Sequence, residues 1–119
     1  MGTMRIEKTN LKSTAERIGK LFEYRPVGRL NDHVLNIIKA ESRTLGFHVH
    51  EESDEMFYVI EGKMRLEFEN GIIDLDEGDF IIVPKGVPHR PVCTSPVKVL
   101  LIEKTGTLTA HNTGGGYKG

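Results

Sequence analysis

Between His33 and Glu103 the apolar residues stop recurring at helical intervals and begin to alternate, in segments of four to eight residues set apart by glycine, proline and asparagine. A chain with this period is confined to β structure, because residues two apart share a strand face whereas a helix needs spacings of three and four. The clearest run is Lys63-Met64-Arg65-Leu66-Glu67-Phe68-Glu69, where apolar residues and charges alternate without a break. Strands are expected over 34–40, 43–50, 55–60, 63–69, 72–75, 80–83, 89–93 and 97–103. Asn70-Gly71 predicts a type I′ hairpin, since both residues tolerate positive φ. Phe80-Ile81-Ile82-Val83 and the run from Val97 to Ile102 are apolar on both faces, so a second sheet or a second subunit should cover them, and a homodimer is the expectation. Before the β region, Ser13-Thr14-Ala15-Glu16 has capping-box spacing, and Leu11, Ala15, Ile18 and Leu21 follow a helical period. A short helix is expected at about 13–23, ended by Pro26-Val27-Gly28.

A chain of 119 residues fits one core rather than two. Sixteen basic against seventeen acidic residues give a net charge of -1 and no basic field for nucleic acid. No apolar run reaches the roughly 18–20 residues of a membrane span, and the first five residues lack the apolar core of a signal peptide, so a cytoplasmic protein is expected. The lone cysteine, Cys93, excludes an intramolecular disulfide and a multi-thiolate zinc site.

The chemistry lies in Gly46-Phe47-His48-Val49-His50-Glu51-Glu52-Ser53-Asp54-Glu55. In a strand, His48 and His50 would present two imidazoles on one face. An antiparallel return after the polar turn would bring back the Glu55 carboxylate. Asp54 could take its place, but Glu55 shares the inward phase of Phe57 and Val59. A third imidazole, His89, follows the tight turn at Pro84 and Gly86. Three nitrogens and one carboxylate oxygen suit a divalent transition ion (Mn, Fe, Co, Ni, Cu or Zn) and can leave positions open for water or substrate. His33 and His111 stand apart, and Phe57, Met64, Leu66, Phe68, Ile82 and Leu101 read as interior lining. Free cysteine usually behaves as a small buried hydrophobe, so Cys93 is not a candidate nucleophile.

These residues resemble the cupin superfamily, whose motifs read G(X)5HXH(X)3-4E(X)6G and G(X)5PXG(X)2H(X)3N. His48, His50, Glu55 and Gly62 match the first, and Gly78, Pro84, Gly86 and His89 match the second. The departures are Ser42 in place of the leading glycine and Cys93 in place of the closing asparagine. The resemblance implies an all-β double-stranded β-helix, the cupin or jelly-roll barrel, with a metal inside it and often a dimer. It covers roughly residues 33–104 as the barrel, which leaves an N-terminal arm with a short helical or irregular segment (1–32) and a tail (105–119) whose glycine-rich end is expected to be flexible. The ending is also similar to small cupins described as resembling mannose-6-phosphate isomerase. The resulting expectation is a metal-dependent dioxygenase or isomerase acting on a small polar molecule. The competing one is a noncatalytic module that binds a sugar or other small molecule.

Overall fold

The computed structural model describes residues 6–109 and residue 113; the chain start, His111 and the glycine-rich stretch from 114 lie outside the described residues. Among the described residues one short helix precedes eight strands: α1 (Leu11–Arg17), β1 (Arg25–Leu30), β2 (His33–Ala40), β3 (Arg43–Thr44), β4 (Glu55–Phe68), β5 (Gly71–Asp76), β6 (Phe80–Val83), β7 (His89–Cys93) and β8 (Val97–Lys104). No described helix is long and apolar enough to cross a membrane.

Helix α1 is shorter and starts earlier than its periodicity suggests. The side-chain oxygen of Asn10 accepts the Ser13 N–H at 2.9 Å, so Asn10 and not Ser13 is the N-cap. Ile18 then turns to extended backbone, which leaves Gly19 outside the helix. Ala15 and Ile18 pack on Ile37 and Leu100 of the underlying sheet.

The strands form two antiparallel layers. One runs β1-β2-β8-β4-β6 and the other β3-β7-β4-β5. Strand β4 belongs to both: its first half pairs with β6 and β8, its second with β5 and β7. The two strands expected at 55–60 and 63–69 are therefore one, bent where the β8 register shifts between Val59 and Glu61. Gly62 sits at that bend with φ 90°, and a Cβ there would press into the Pro96 carbonyl oxygen. The layers close over Phe57, Val59, Met64, Leu66, Val99 and Leu101, giving the expected all-β jelly-roll barrel with one short helix near its N-terminus.

Other local expectations change. β1 was not foreseen; Asn31, with φ 55°, and Asp32 link it to β2 in a two-residue loop. The β4–β5 loop is Glu69-Asn70, because Phe68 already pairs with Gly71. Neither loop residue has positive φ, so the turn is not type I′. The observed register sets buried Leu75 opposite buried Met64, whereas a loop at Asn70-Gly71 would set it opposite Leu66, two residues further on and on the same face. The outer face of β8 is covered by α1 and not by a second sheet. β6 buries only one face: Phe80 and Ile82 are 61% and 52% exposed, so Ile82 does not line the interior.

Ser42, where the cupin motif has glycine, adopts φ 50°. The left-handed region costs an L-residue about 1–2 kcal/mol, and glycine's extra chain entropy returns roughly half of that. Ser42→Gly is therefore expected to stabilise the fold by about 0.5–1 kcal/mol, read as a rise of about 2–5 °C in the thermal unfolding midpoint.

Candidate metal centre

The loop between β3 and β4 carries the first two histidines. It does not continue β3 to residue 50 as expected: strand pairing stops at Thr44, the Leu45 N–H still donates to the Pro91 carbonyl at 3.3 Å, and the next pairing is an isolated bridge between His48 and His89. Their amides and carbonyls exchange two hydrogen bonds of 3.0 Å, which join the histidines of the two motifs directly. Nearby, the Arg90 guanidinium lies 4.7 Å over the Phe47 ring. The Gly86 N–H donates to the His50 carbonyl at 2.8 Å, and the Lys85 N–H donates to Asp54 Oδ1 at 2.9 Å. Asp54, the alternative carboxylate, is thus engaged with the Pro84–Gly86 turn. Ser53 Oγ accepts the Lys104 N–H at 3.0 Å and fixes the loop to the end of β8.

This scaffold brings His48, His50, Glu55 and His89 together, with one donor atom of each within 4.8 Å of all the others. The imidazole centroids stand 5.0, 4.6 and 5.5 Å apart. His50, Glu55 and His89 are buried, whereas His48 is partly exposed, so the cluster meets solvent on the His48 side. Ring orientation is set by the backbone. His48 Nδ1 faces the Gly46 carbonyl at 3.0 Å and His89 Nδ1 faces the Val87 carbonyl at 2.9 Å. A carbonyl only accepts, so each Nδ1 carries hydrogen and, in the neutral ring, the Nε2 lone pair is left for the centre.

The electrostatics agree. Burial opposes the Glu55 charge, but contacts with His50 and His89 overcome it and hold the carboxyl below its ordinary value. Burial also opposes a charged His89, yet the Glu55 contact at 3.0 Å and the Val87 carbonyl raise it above 6.5. Burial lowers His48. His50 Nε2 lies 3.3 Å from Glu55 Oε1 but is not aligned as a hydrogen bond, so among the described residues this buried nitrogen has no hydrogen-bond partner. First-row metal bonds of about 2.0–2.2 Å allow ligand atoms of one ion to stand up to ~4.4 Å apart. Small side-chain rotations would close the remaining gap, and the orphaned nitrogen fits a group that could hold a metal ion.

The cupin-domain sequence profile matches residues 36–103. The chain belongs to the cupin family. This cupin is 28% identical to a cupin-2 domain protein of Shewanella frigidimarina of known crystal structure, with TM-score 0.76 over 81% of this chain and 93% of that one. It is 32% identical over 66 residues to an uncharacterized Methanocaldococcus jannaschii protein, covering 54% of this chain and 52% of that one. It is 33% identical over 79 residues to a 3-hydroxyanthranilate 3,4-dioxygenase of Bacillus thuringiensis, covering 62% of this chain and 44% of the enzyme. The cupin thus spans about half the length of these two curated relatives.

Two residues beside the cluster went unnoticed in the sequence. Asn36 and Glu103 are fully buried, and among the described residues none of their side-chain nitrogen or oxygen atoms has a hydrogen-bond partner. Burial first, and then the Glu55 charge, pushes the Glu103 carboxyl up to about 9. Deeper in the barrel lies a narrow cavity of about 50 Å³, bordered by Phe22, Tyr24, Ile38, Phe57, Leu101 and Thr113. One water needs about 10–15 Å³ on this measure, so the space admits a few waters or a small chemical group. Cys93 also borders it, its thiol raised to about 11 by burial, which leaves no thiolate for nucleophilic attack near neutral pH.

Proposed function

We propose that this cupin holds a divalent transition metal on His48, His50, Glu55 and His89 and acts on a small polar molecule by oxygenase- or isomerase-type chemistry. The convergence of three imidazoles and one carboxylate, two of the rings set by backbone carbonyls, carries the reading. A bound ion would supply Lewis-acid polarisation of a substrate oxygen or redox chemistry with dioxygen. Around it, the Gly46 and Val87 carbonyls keep the rings aimed, Glu55 supplies the compensating negative charge, and the His48 side admits substrate. The similarity to a dioxygenase favours the oxygenase branch.

The test is metal analysis by mass spectrometry of protein purified without a nickel column, followed by dioxygen-uptake and isomerisation screens. Dioxygen consumption that depends on the bound metal supports the oxygenase branch. The unpaired buried polar atoms of Asn36 and Glu103 favour the second reading, a noncatalytic module that binds a sugar or other small molecule; ligand-induced thermal shifts without turnover of any hit would select it.

The proposal extends to a homodimer. On the outer face of the helix-bearing sheet, Leu35-Ile102-Met56-Ile82 and Ile37-Leu100-Tyr58-Phe80 form two cross-strand apolar rows. Helix α1 packs over the β2 and β8 end, while Phe80 and Ile82 remain open on β6, which among the described residues pairs on one side only. A second copy offering the same edge would cover both apolar patches by two-fold symmetry. Light scattering is expected to give a dimer for the wild type and a monomer for Phe80→Glu/Ile82→Glu.

A further inference from the structure

The inner wall of the helix-bearing sheet has a polar interruption that packing does not explain. Inward positions on β8 are Val97, Val99, Leu101 and then Glu103; on β2, Ala40 and Ile38 are followed by Asn36. Asn36 lies opposite Leu101 and Val34 opposite Glu103, so Asn36 and Glu103 are diagonal neighbours across the ladder. One step past the Met56–Ile102 pair, the same register sets Glu103 beside Glu55. Leu101 and Ile38, which flank Asn36, border the interior cavity. The two polar residues therefore stand on the wall between that cavity and the histidine cluster.

Four atoms, Asn36 Nδ2 and Oδ1 and both Glu103 carboxyl oxygens, are buried there without a hydrogen-bond partner among the described residues. Buried polar atoms are almost always satisfied, and a fold that needed only packing would continue the valines and leucines. We propose that Asn36 and Glu103 form a ligand subsite inside the barrel, built for neighbouring hydroxyl groups of a small neutral polyol or sugar. The inference rests on the reading of this interior as the place where a small molecule binds.

Adjacent hydroxyls each donate and accept, so they match an amide with both functions and a carboxyl rich in acceptor sites. A purely apolar ligand would leave the four atoms unpaired. An anion would meet the Glu55 carboxylate in the next position along the row. The hydroxyl-bearing end of the ligand would reach the pair from the cluster side, with its remainder directed toward the cavity.

The experiment uses the full chain as purified, its metal content measured in every variant, with erythritol as the probe and tartrate, an anion of the same carbon length, as its counterpart. In NMR titrations, erythritol is expected to shift the Asn36 side-chain amide signals saturably and tartrate is not. Glu103→Gln is expected to weaken the erythritol response about tenfold while leaving metal content unchanged. The double variant Asn36→Leu/Glu103→Met is expected to lose the response and to melt at least about 3 °C above the wild type, since it relieves unpaired burial. An Asn36 signal indifferent to erythritol, or one that answers tartrate equally, overturns the ligand class. A double variant that melts lower or fails to fold overturns the subsite, because the pair is then structural. If the purified protein holds no metal yet Asn36 still answers erythritol, the metal assignment fails and the subsite stands.

Discussion

Unfolding experiments with and without divalent metal are expected to show wild-type protein gaining about 2.7 kcal/mol at a hundredfold excess of metal over Kd, with Glu55→Gln and His89→Ala gaining essentially nothing. Glu55→Gln keeps the shape of a side chain that is 2% exposed and removes only its charge and one acceptor. Loss of a group that merely orients a ligand costs about 10–100-fold in affinity. Removal of a ligand should exceed that, so a Kd increase above ~100-fold is expected in titrations followed by metal analysis. Metal retained at wild-type affinity in both variants would remove the assigned site.

The pH dependence separates the two states of the site. Without metal, Glu55 lies below its ordinary 4.5, so its stabilising contribution is present above that value and is lost as pH falls through the lower folded value. His89 lies above 6.5, so its contribution is complete below 6.5 and is lost as pH rises through the folded value. With metal the dependence on His89 reverses, because a ligand imidazole must shed its proton and metal affinity therefore falls as pH drops. Urea midpoints measured between pH 5 and 8 should show metal-dependent stabilisation growing toward the alkaline end.

Gly62→Ala carries the largest expected loss of stability. The substitution combines a backbone conformation that costs a side chain about 1–3 kcal/mol with an overlap against backbone, where overpacking typically costs about 1–3 kcal/mol. Neither Pro96 nor Val97, whose Cα would stand 3.1 Å from the new Cβ, can move aside like a flexible side chain. A loss of about 3–5 kcal/mol is a large part of a small domain's stability and should lower the melting midpoint by roughly 10–20 °C. Gly71→Ala, with open space and no positive φ, is the control expected to stay within about 1 kcal/mol of the wild type.

What could be read from the amino acids alone follows from how local each cause is. Alternation in Lys63–Glu69 sufficed for a strand because one face is wet and the other buried, and cupin spacing picked out the four residues that converge. The loop from Leu45 to Asp54 misled, since its alternation resembles a strand while its backbone is held by distant partners at His89, Gly86 and Lys85. The helix N-cap turned on a competition between Asn10 and Ser13 that composition does not rank. β1 left a trace in Asn31-Asp32, two turn residues just before the apolar run of β2. Glu103 and Asn36 were also visible in principle, because they sit in phase with Val97, Val99 and Leu101 and with Ile38. Their significance depended on knowing which phase faces inward.

The sharing of β4 between the layers bears on how the protein comes apart. Its fourteen residues run from Glu55 at the histidine cluster to Phe68 opposite His89, so both halves of one strand return to the same centre. Neither layer can detach while the other persists, because each would take with it half of a common strand. Amide protons along β4 should therefore exchange together, only through global opening and at a single free energy, leaving no half-melted barrel with an intact histidine cluster.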